Sequence, residues 1–204
     1  MADLVRGKYP VTNQLFSALG QTANSSQGNL AQRSNAAYTG LNAVTDQAAA
    51  LTTQVCTSVA VPVEVGDVIT KITVLVGATA AGTPTNGFAA LYSGITVPAL
   101  LGQATDITSN AIAASAAFTF TLASPVMVTT ALAPQGFIYV SVMSKATVVP
   151  SLASTALAAA VGYKWFPNSP LFFAATHGSG LTNLAPATIV TPTAQTVVPL
   201  VFLT

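Results

Sequence analysis

The pattern of apolar and polar residues divides the chain into two parts near residue 50. Residues 1–50 are rich in Asn, Gln, Ser and Ala, and most of this region has neither a helical period nor a strand period. From residue 51 onward, short β-branched runs alternate with turns that contain Gly, Pro and Asn. This change predicts an N-terminal arm over residues 1–50 and a single β-domain over residues 51–204.

The later part contains a series of predicted strands. Phe118-Thr-Phe-Thr-Leu122 alternates between apolar and polar residues and predicts a half-buried strand. Residues 136–143 are apolar on both faces, which predicts a central strand, whereas Pro199 places the last strand at an edge or a bulge. Further strands are predicted at 54–61, 68–76, 88–93, 100–104, 117–122, 126–130 and 196–203. Many short strands between Gly/Pro turns predict an all-β fold, an antiparallel β-sandwich or jelly roll.

Two segments of the later part lack a clear strand pattern. Residues 82–87 end in Asn-Gly, a strong turn signal, and are predicted to form a loop. Residues 152–161 are rich in alanine, which is compatible with a short helix or with a covered loop. Both segments are therefore expected to connect strands.

The arm is predicted to be extended and partly helical. Leu15, Phe16 and Leu19 can form one apolar face of a short helix, and residues 46–51 can form a second helical turn. Alone, this region lacks the apolar surface that would offset the entropy cost of ordering it. Two interpretations stay open: the arm contacts other subunits, or it wraps over its own domain.

Charged residues are scarce throughout the chain. Only 5% of the residues are charged, the net charge is +1, and the mean hydropathy is +0.63; soluble domains are ordinarily about a quarter charged. After Asp106 there is no acidic residue, and only Lys145 and Lys164 are basic. Because a soluble monomer relies on charge to stay apart from its neighbours, this composition favours a chain that packs against other chains.

The same composition argues against two classes of partner. The basic residues are scattered, so no cluster of Lys and Arg that could bind nucleic acid is present. The most apolar stretch, residues 146–161, is interrupted by Pro150 and is shorter than the ~20 residues that a spanning helix needs. Residues 1–10 lack the unbroken apolar run of a secretory signal peptide. Neither a nucleic-acid partner nor a membrane partner is predicted.

Few residues could carry a reaction. Glu64 and Asp67 form a close acidic pair, but the turn preferences of Gly and Asp explain this pair without a site. His177 is the sole histidine, and its surroundings, Thr176-His-Gly-Ser-Gly180, match neither a P-loop nor an esterase elbow and predict a flexible glycine loop. Cys56, the single cysteine, is predicted to be a buried reduced thiol on a strand. No catalytic residue, cofactor or metal ligand is predicted, and the chain is not expected to be an enzyme.

One aromatic cluster is the candidate contact with a partner or a glycan. It lies around Pro167 and Pro170 and comprises Tyr163, Trp165, Phe166, Phe172 and Phe173. If these side chains are exposed, they can stack on a sugar ring or anchor a protein partner. If they are buried, they close one end of the domain. Both interpretations stay open.

Several strand segments between residues 55 and 155 have the order and character of a known class of proteins. They are 61–72, 88–93, 100–106, 120–125, 136–142 and 149–152. This series resembles accessory virion proteins of tailed bacteriophages, of the minor tail or capsid decoration type, which have a β-sandwich domain. The resemblance implies a structural role on the virion and lectin-like contact with a host. It supplies no site residue and does not include the arm.

Together these observations lead to an expected function. The chain is expected to be a structural component of a bacteriophage virion, anchored through residues 1–50 as an assembly arm and packed as a homo-oligomer. Its expected partners are other copies of itself and other virion proteins. The alternative is a carbohydrate-binding host-adhesion module of the virion, which would bind a host surface glycan through the aromatic cluster.

Overall fold

The computed structural model describes residues 33–35, 45–104, 111–156 and 173–204. Within these ranges the chain is all-β, and no residue lies in a helix. The strands, in chain order, are β1 (Arg33–Ser34), β2 (Thr45–Ala50), β3 (Cys56–Pro62), β4 (Val68–Leu75), β5 (Gly82–Tyr92), β6 (Leu100–Gln103), β7 (Ala117–Met127), β8 (Phe137–Val148), β9 (Ser151–Ala156), β10 (Ala174–His177), β11 (Thr193–Ala194), β12 (Val197–Pro199) and β13 (Val201–Leu203).

These strands form three antiparallel sheets. The largest has six strands in the order β11-β10-β3-β8-β5-β6, the second has four in the order β1-β13-β4-β7, and the third has three in the order β12-β9-β2. Every neighbouring pair within them is antiparallel. The prediction of an all-β fold with antiparallel pairing is confirmed.

The clearest strand patterns predicted real strands. The segment at 136–143 was expected to be central, and β8 indeed pairs with β3 on one side and β5 on the other. Its residues 137–144 are all buried. The predicted strand at 117–122 lies in β7, which also includes the first two residues of the strand predicted at 126–130, whereas residues 128–130 are not in a strand. The pairing of β7 with β4 shifts between Ile69 and Lys71. This irregularity lies opposite the Ala-Ser-Pro stretch that separated the two predictions.

Three local predictions were wrong. Residues 82–87 are not a loop but the first half of β5, where a bulge between Pro84 and Asn86 accommodates the proline opposite β8. Residues 46–51 are not a helical turn, since Thr45–Ala50 pair with β9. The first residues of 152–161 lie in β9, which is neither a helix nor a loop. In each case a partner strand overrides the local preference. The helix predicted at Leu15–Leu19 lies outside the described residues.

The C-terminal residues connect two sheets. Val197–Pro199 pair with β9 in the three-stranded sheet, whereas Val201–Leu203 pair with β4 in the four-stranded sheet. The chain changes sheets at Leu200, directly after the proline. Pro199 ends the edge strand β12, as predicted, but the single strand predicted over 196–203 is two strands, and β13 lies between β1 and β4.

Two buried clusters lie on opposite faces of the six-stranded sheet. The first combines Val140 of β8 with Ile72 of β4, so the six-stranded and four-stranded sheets share one core. The second contains Tyr139 and Phe88 and is covered by Ile189 from the C-terminal segment. Burial on both faces explains why the central strands of this sheet are almost continuously apolar.

Candidate assembly site and the buried histidine cluster

The predicted aromatic cluster lies largely beyond the described residues. Tyr163, Trp165, Phe166 and Phe172 are outside them, so their role as a partner or glycan contact stays a prediction. Phe173 is described: it directly precedes β10 and is half-buried. Its carbonyl oxygen accepts a hydrogen bond of 2.9 Å from the amide of Ala60 in β3. The end of the aromatic segment is thus fixed against the six-stranded sheet.

Residue Arg33 of the arm forms an ion-pair group with the turn that precedes β4. Its Nε and Nη2 donate to the two carboxylate oxygens of Asp67 at 2.7 and 2.9 Å, and Nη1 donates to Glu64 at 3.2 Å. Such bidentate pairs are the strongest hydrogen bonds of this type. Burial lowers the pKa of the Arg33 guanidinium, but the two carboxylates raise it by more, so that the net pKa is raised.

The acidic pair Glu64 and Asp67 is part of a tight turn. The Asp67 amide donates to the Glu64 carbonyl at 3.1 Å, and the Asp67 carboxylate accepts from the Glu64 amide at 2.8 Å. Gly66 has a φ of +96°, which favours glycine. The turn predicted at Glu64 and Asp67 is present in the structure. The contact with Arg33 was missed, because that residue lies more than thirty positions earlier in the chain.

Asn35 fills the gap between the last two strands. Its Nδ2 donates to the carbonyl oxygen of Pro199 at 2.6 Å, and its Oδ1 accepts from the amide of Val201 at 2.9 Å. The side chain is fully buried. The side-chain amide therefore provides hydrogen-bond partners for two buried backbone groups, the Pro199 carbonyl and the Val201 amide, where β12 ends and β13 begins.

These contacts bear on the two interpretations of the arm. Arg33–Ser34 pair with β13, and Thr45–Ala50 pair with β9, so both segments share sheets with strands from beyond residue 50. At these positions the chain lies on its own domain. Contact of residues 1–32 with other subunits stays a prediction.

His177 is not in a flexible glycine loop, and that prediction was wrong. It is the last residue of β10, it pairs with Cys56 of β3, and it is 4% exposed. The glycine loop begins one residue later at Gly178, whose φ is +70°. Because β10 pairs with β3 as far as His177, the histidine is part of the sheet. The polar residues around it in the sequence did not indicate a strand. Cys56 is buried on a strand, as predicted.

His177 belongs to a buried polar cluster on the second face of the six-stranded sheet. Its Nε2 lies 2.8 Å from Oγ of Ser58 and 3.3 Å from Oγ of Ser141, and the two serine hydroxyls are hydrogen-bonded to each other. The ring of Tyr92 packs edge-on at a centroid distance of 5.7 Å. Burial lowers the pKa of His177 to about 4, so the ring is neutral at pH 7.

A Ser–His contact is the arrangement from which nucleophilic catalysis is built, but this one is poorly placed for it. Ser58 is 1% exposed, and the described partners of His177 are hydroxyls and an aromatic ring instead of a carboxylate. The hydrogen bonds of the cluster therefore pair the buried polar groups of His177, Ser58 and Ser141 with one another. This arrangement fits a structural role in the packed face better than a catalytic one.

The described surface carries very little charge. Among the described side chains, Arg33, Glu64 and Asp67 neutralise one another in part, and Lys71 and Lys145 are the charged groups outside that ion-pair group.

Across the described ranges, no three His, Cys, Asp or Glu side chains come together as a metal site. The part of the chain that the structure describes also contains no helix suited to crossing a membrane. A comparison of the sequence with protein-family models and with curated proteins found no match.

Proposed function

We propose that the chain is a structural component of a bacteriophage virion, of the minor tail or capsid decoration type, that packs as a homo-oligomer. The observation that carries this proposal is the scarcity of charge. Only 5% of the residues are charged, and among the side chains that the structure describes Lys71 and Lys145 are the charged ones outside the ion-pair group of Arg33, Glu64 and Asp67. Uncharged surfaces can be buried against neighbours without the desolvation penalty of charges. The assignment to a virion is supported by the resemblance of the strand segments between residues 55 and 155.

The proposed architecture is a β-sandwich. Ile72 and Phe120 of the four-stranded sheet belong to the same buried cluster as Leu91 and Val140 of the six-stranded sheet. Two antiparallel sheets that share one core in this way are typical of sandwiches. The arm is proposed to extend from this domain.

The proposed anchor is the part of the arm that precedes Arg33. Arg33 and Asn35 are bound to the domain of their own chain by an ion pair and by two buried hydrogen bonds. We infer that residues 1–32 contact neighbouring subunits or other virion proteins.

Sedimentation velocity of the full chain over a wide concentration range tests the proposal. We expect concentration-dependent association that changes little between low and high salt, because few charges would lie in the interface. A protein that stays monomeric at the highest concentration would contradict the proposed role in assembly.

The second candidate function is a host-adhesion module that binds a surface glycan. It is favoured by the aromatic cluster, whose last member, Phe173, is half-buried beside β10. On a glycan array, Trp165→Ala is expected to abolish binding and Trp165→Phe to retain part of it, because a smaller aromatic ring still stacks on a sugar. Absence of binding by the unmodified protein, or binding unchanged by Trp165→Ala, would remove this candidate.

A further inference from the structure

We propose that residues 178–192, here called the strap, are released from the second face of the six-stranded sheet when His177 is protonated. Release exposes apolar side chains at acidic pH that are covered at neutral pH. The switch concerns how one chain changes its own surface, so it does not depend on the proposed function. The attachment of the strap, the conformation of its two ends and the position of His177 support it.

The strap covers the second face of the sheet without being part of a sheet. It connects β10 to β11, none of its residues lies in a strand, and Thr188 forms an isolated bridge with Ala99. Leu181, Ala185 and Ile189, each four positions after the last, pack on the buried cluster of this face. Segments outside the hydrogen-bonded ladder of a sheet open locally at a lower free energy than central strands do. The strap is therefore the part of this cover that can open while the strands stay paired.

Two uncharged side chains hold the strap by hydrogen bonds. Gln54 donates from Nε2 to the carbonyl oxygen of Leu181 at 3.1 Å, and its own carbonyl accepts from the Leu181 amide at 3.0 Å. Gln103 donates from Nε2 to the carbonyl oxygen of Asn183 at 2.6 Å and accepts from the Ala185 amide at 2.7 Å. Water can replace such bonds at a modest net cost, so the strap is held in place without being locked.

Both ends of the strap have left-handed backbone conformations. Gly178 and Gly180 have φ values of +70° and +64°, which glycine adopts without strain. At the other end, Thr191 has a φ of +44°, which is strained for a β-branched residue. Release allows Thr191 to leave this conformation, so the closed state carries strain that the released state does not. The two ends therefore act as hinges.

Tyr92 connects His177 to the strap. Its ring packs edge-on against the imidazole at a centroid distance of 5.7 Å, and its hydroxyl donates to the carbonyl oxygen of Pro186 in the strap at 2.8 Å. His177 also directly precedes Gly178, the first residue of the strap. A change in the charge or hydration of the imidazole therefore acts on the strap by two routes, one through the ring of Tyr92 and one along the chain.

The described surroundings of His177 contain no carboxylate that would compensate a positive charge. On the same face lie Cys56 of β3, Tyr92 of β5 and Tyr139 of β8, which are neutral at pH 7 and below because burial raises their pKa values. Neither β10, β11 nor the strap adds another titratable side chain, and Lys145, further along β8, has the same sign of charge as an imidazolium. A protonated His177 therefore needs water, which release of the strap admits.

The direction of the pH dependence follows from the two protonation equilibria of His177. In the closed state its pKa is about 4, because burial disfavours the charged ring, and in the released state the pKa returns towards 6.5. The released state binds more protons between these values, so acidification favours release. Between pH 7.5 and pH 4.5 we expect the equilibrium constant for release to rise about 50- to 100-fold.

Hydrogen exchange of the full-length protein, followed by mass spectrometry, tests the switch. Protection factors, corrected for the pH dependence of intrinsic exchange, are compared at pH 7.5 and pH 4.5 for the strap and for β8. We expect strap protection to fall about 50- to 100-fold in the parent and less than about threefold in His177→Gln, whose side chain stays uncharged. At pH 4.5, a low concentration of urea should accelerate exchange in β8 but barely in the strap, because release exposes far less surface than unfolding.

Two tyrosine variants test the connection without any change to His177. Tyr92→Phe keeps the ring but removes the hydrogen bond to Pro186, and we expect it to lower strap protection at pH 7.5 about three- to tenfold. Tyr139→Phe removes a buried hydroxyl of the same face that has no hydrogen-bond partner, and strap protection should change less than about twofold. Both substitutions preserve the aromatic core, so this comparison holds even if His177→Gln does not fold.

The contrary results are distinct from one another, and each would overturn the proposal. Exchange of the strap and of β8 at the same rate and with the same urea dependence at pH 4.5 would show that this face opens only on unfolding. Strap protection that is independent of pH, or that falls equally in the parent and in His177→Gln, would show that His177 does not control the strap. Equal effects of Tyr92→Phe and Tyr139→Phe would remove the connection between them.

Discussion

The guanidinium of Arg33 donates two hydrogen bonds to the carboxylate of Asp67, one of 2.7 Å from Nε and one of 2.9 Å from Nη2. The two residues are 34 positions apart, and the Asp67 side chain is only 6% exposed. This contact joins the arm to the turn before β4. Arg33 is therefore bound to the domain of its own chain.

Removal of the guanidinium is expected to destabilise the domain. Arg33→Ala would leave the buried Asp67 carboxylate without its charged partner, at a cost of about 1–3 kcal/mol in the free energy of unfolding. Lys71→Ala, at an exposed position, serves as the control and should change this free energy by less than about 0.5 kcal/mol. Urea unfolding followed by fluorescence measures both, and equal stabilities would show that the ion pair is not structural.

Asn35 provides a second test of the anchor. Asn35→Asp preserves the shape of the side chain and the acceptor for the Val201 amide, but it places a carboxylate against the carbonyl oxygen of Pro199. We expect a loss of about 1–3 kcal/mol in the free energy of unfolding. Asn183→Asp, on an exposed residue, should have little effect. A comparable loss in both variants would contradict the role assigned to Asn35.

The pH dependence of stability should report on His177. Its pKa is about 4 in the folded protein, below the usual 6.5, because burial disfavours the charged ring. The unfolded chain therefore binds more protons between these values, so stability is full above pH 6.5 and falls as the pH drops towards 4. His177→Gln removes the titration, and the difference between variant and parent in urea unfolding at pH 7, 5.5 and 4 isolates it. A difference that is independent of pH would contradict the burial of a neutral ring.

Cys56 should be unreactive in the folded protein. Burial raises the pKa of its thiol to about 12, and the side chain is inaccessible. A thiol-specific reagent at pH 8 is expected to modify Cys56 only after unfolding, since the thiolate is the reactive form. A rapid reaction with the folded protein would show that the second face of the six-stranded sheet is open.

The strongest strand patterns were sufficient to predict strands, because the positions of their apolar residues match the faces that are buried. The segment at 136–143 is apolar on both faces since β8 has partners on both sides and buried clusters above and below. The alternation at Phe118–Leu122 is real as well: Phe120 is 2% exposed, while its neighbours on either side face outward. Periodicity was therefore sufficient to predict that the described residues are all-β.

The failures have a common physical cause. The Asn86–Gly87 pair is a strong local turn signal, yet it lies inside β5 because β8 supplies a long complementary edge. His177 has polar and flexible neighbours in the sequence, yet it lies in the sheet, where it pairs with Cys56 and is hydrogen-bonded to Ser58. The bond between Arg33 and Asp67 joins positions far apart in the chain. Such long-range partners leave no signal in a local window of sequence.

The deletion that tests the arm must end before Arg33. Removal of residues 2–32 leaves the ion pair and the Asn35 hydrogen bonds intact and should preserve stability. Removal of residues 2–45 also deletes both anchors and is expected to lower the free energy of unfolding by several kcal/mol. Equal stability of the two shortened chains would contradict the anchoring of the arm at Arg33–Asn35.

The role of the arm in assembly can be measured by comparing self-association of the full chain with that of the chain that lacks residues 2–32. Sedimentation velocity over the same concentration range measures both. We expect oligomers that grow with concentration for the full chain, and a monomer of unchanged stability for the shortened one. A full chain that stays monomeric throughout, or a shortened chain that associates equally well, would contradict it.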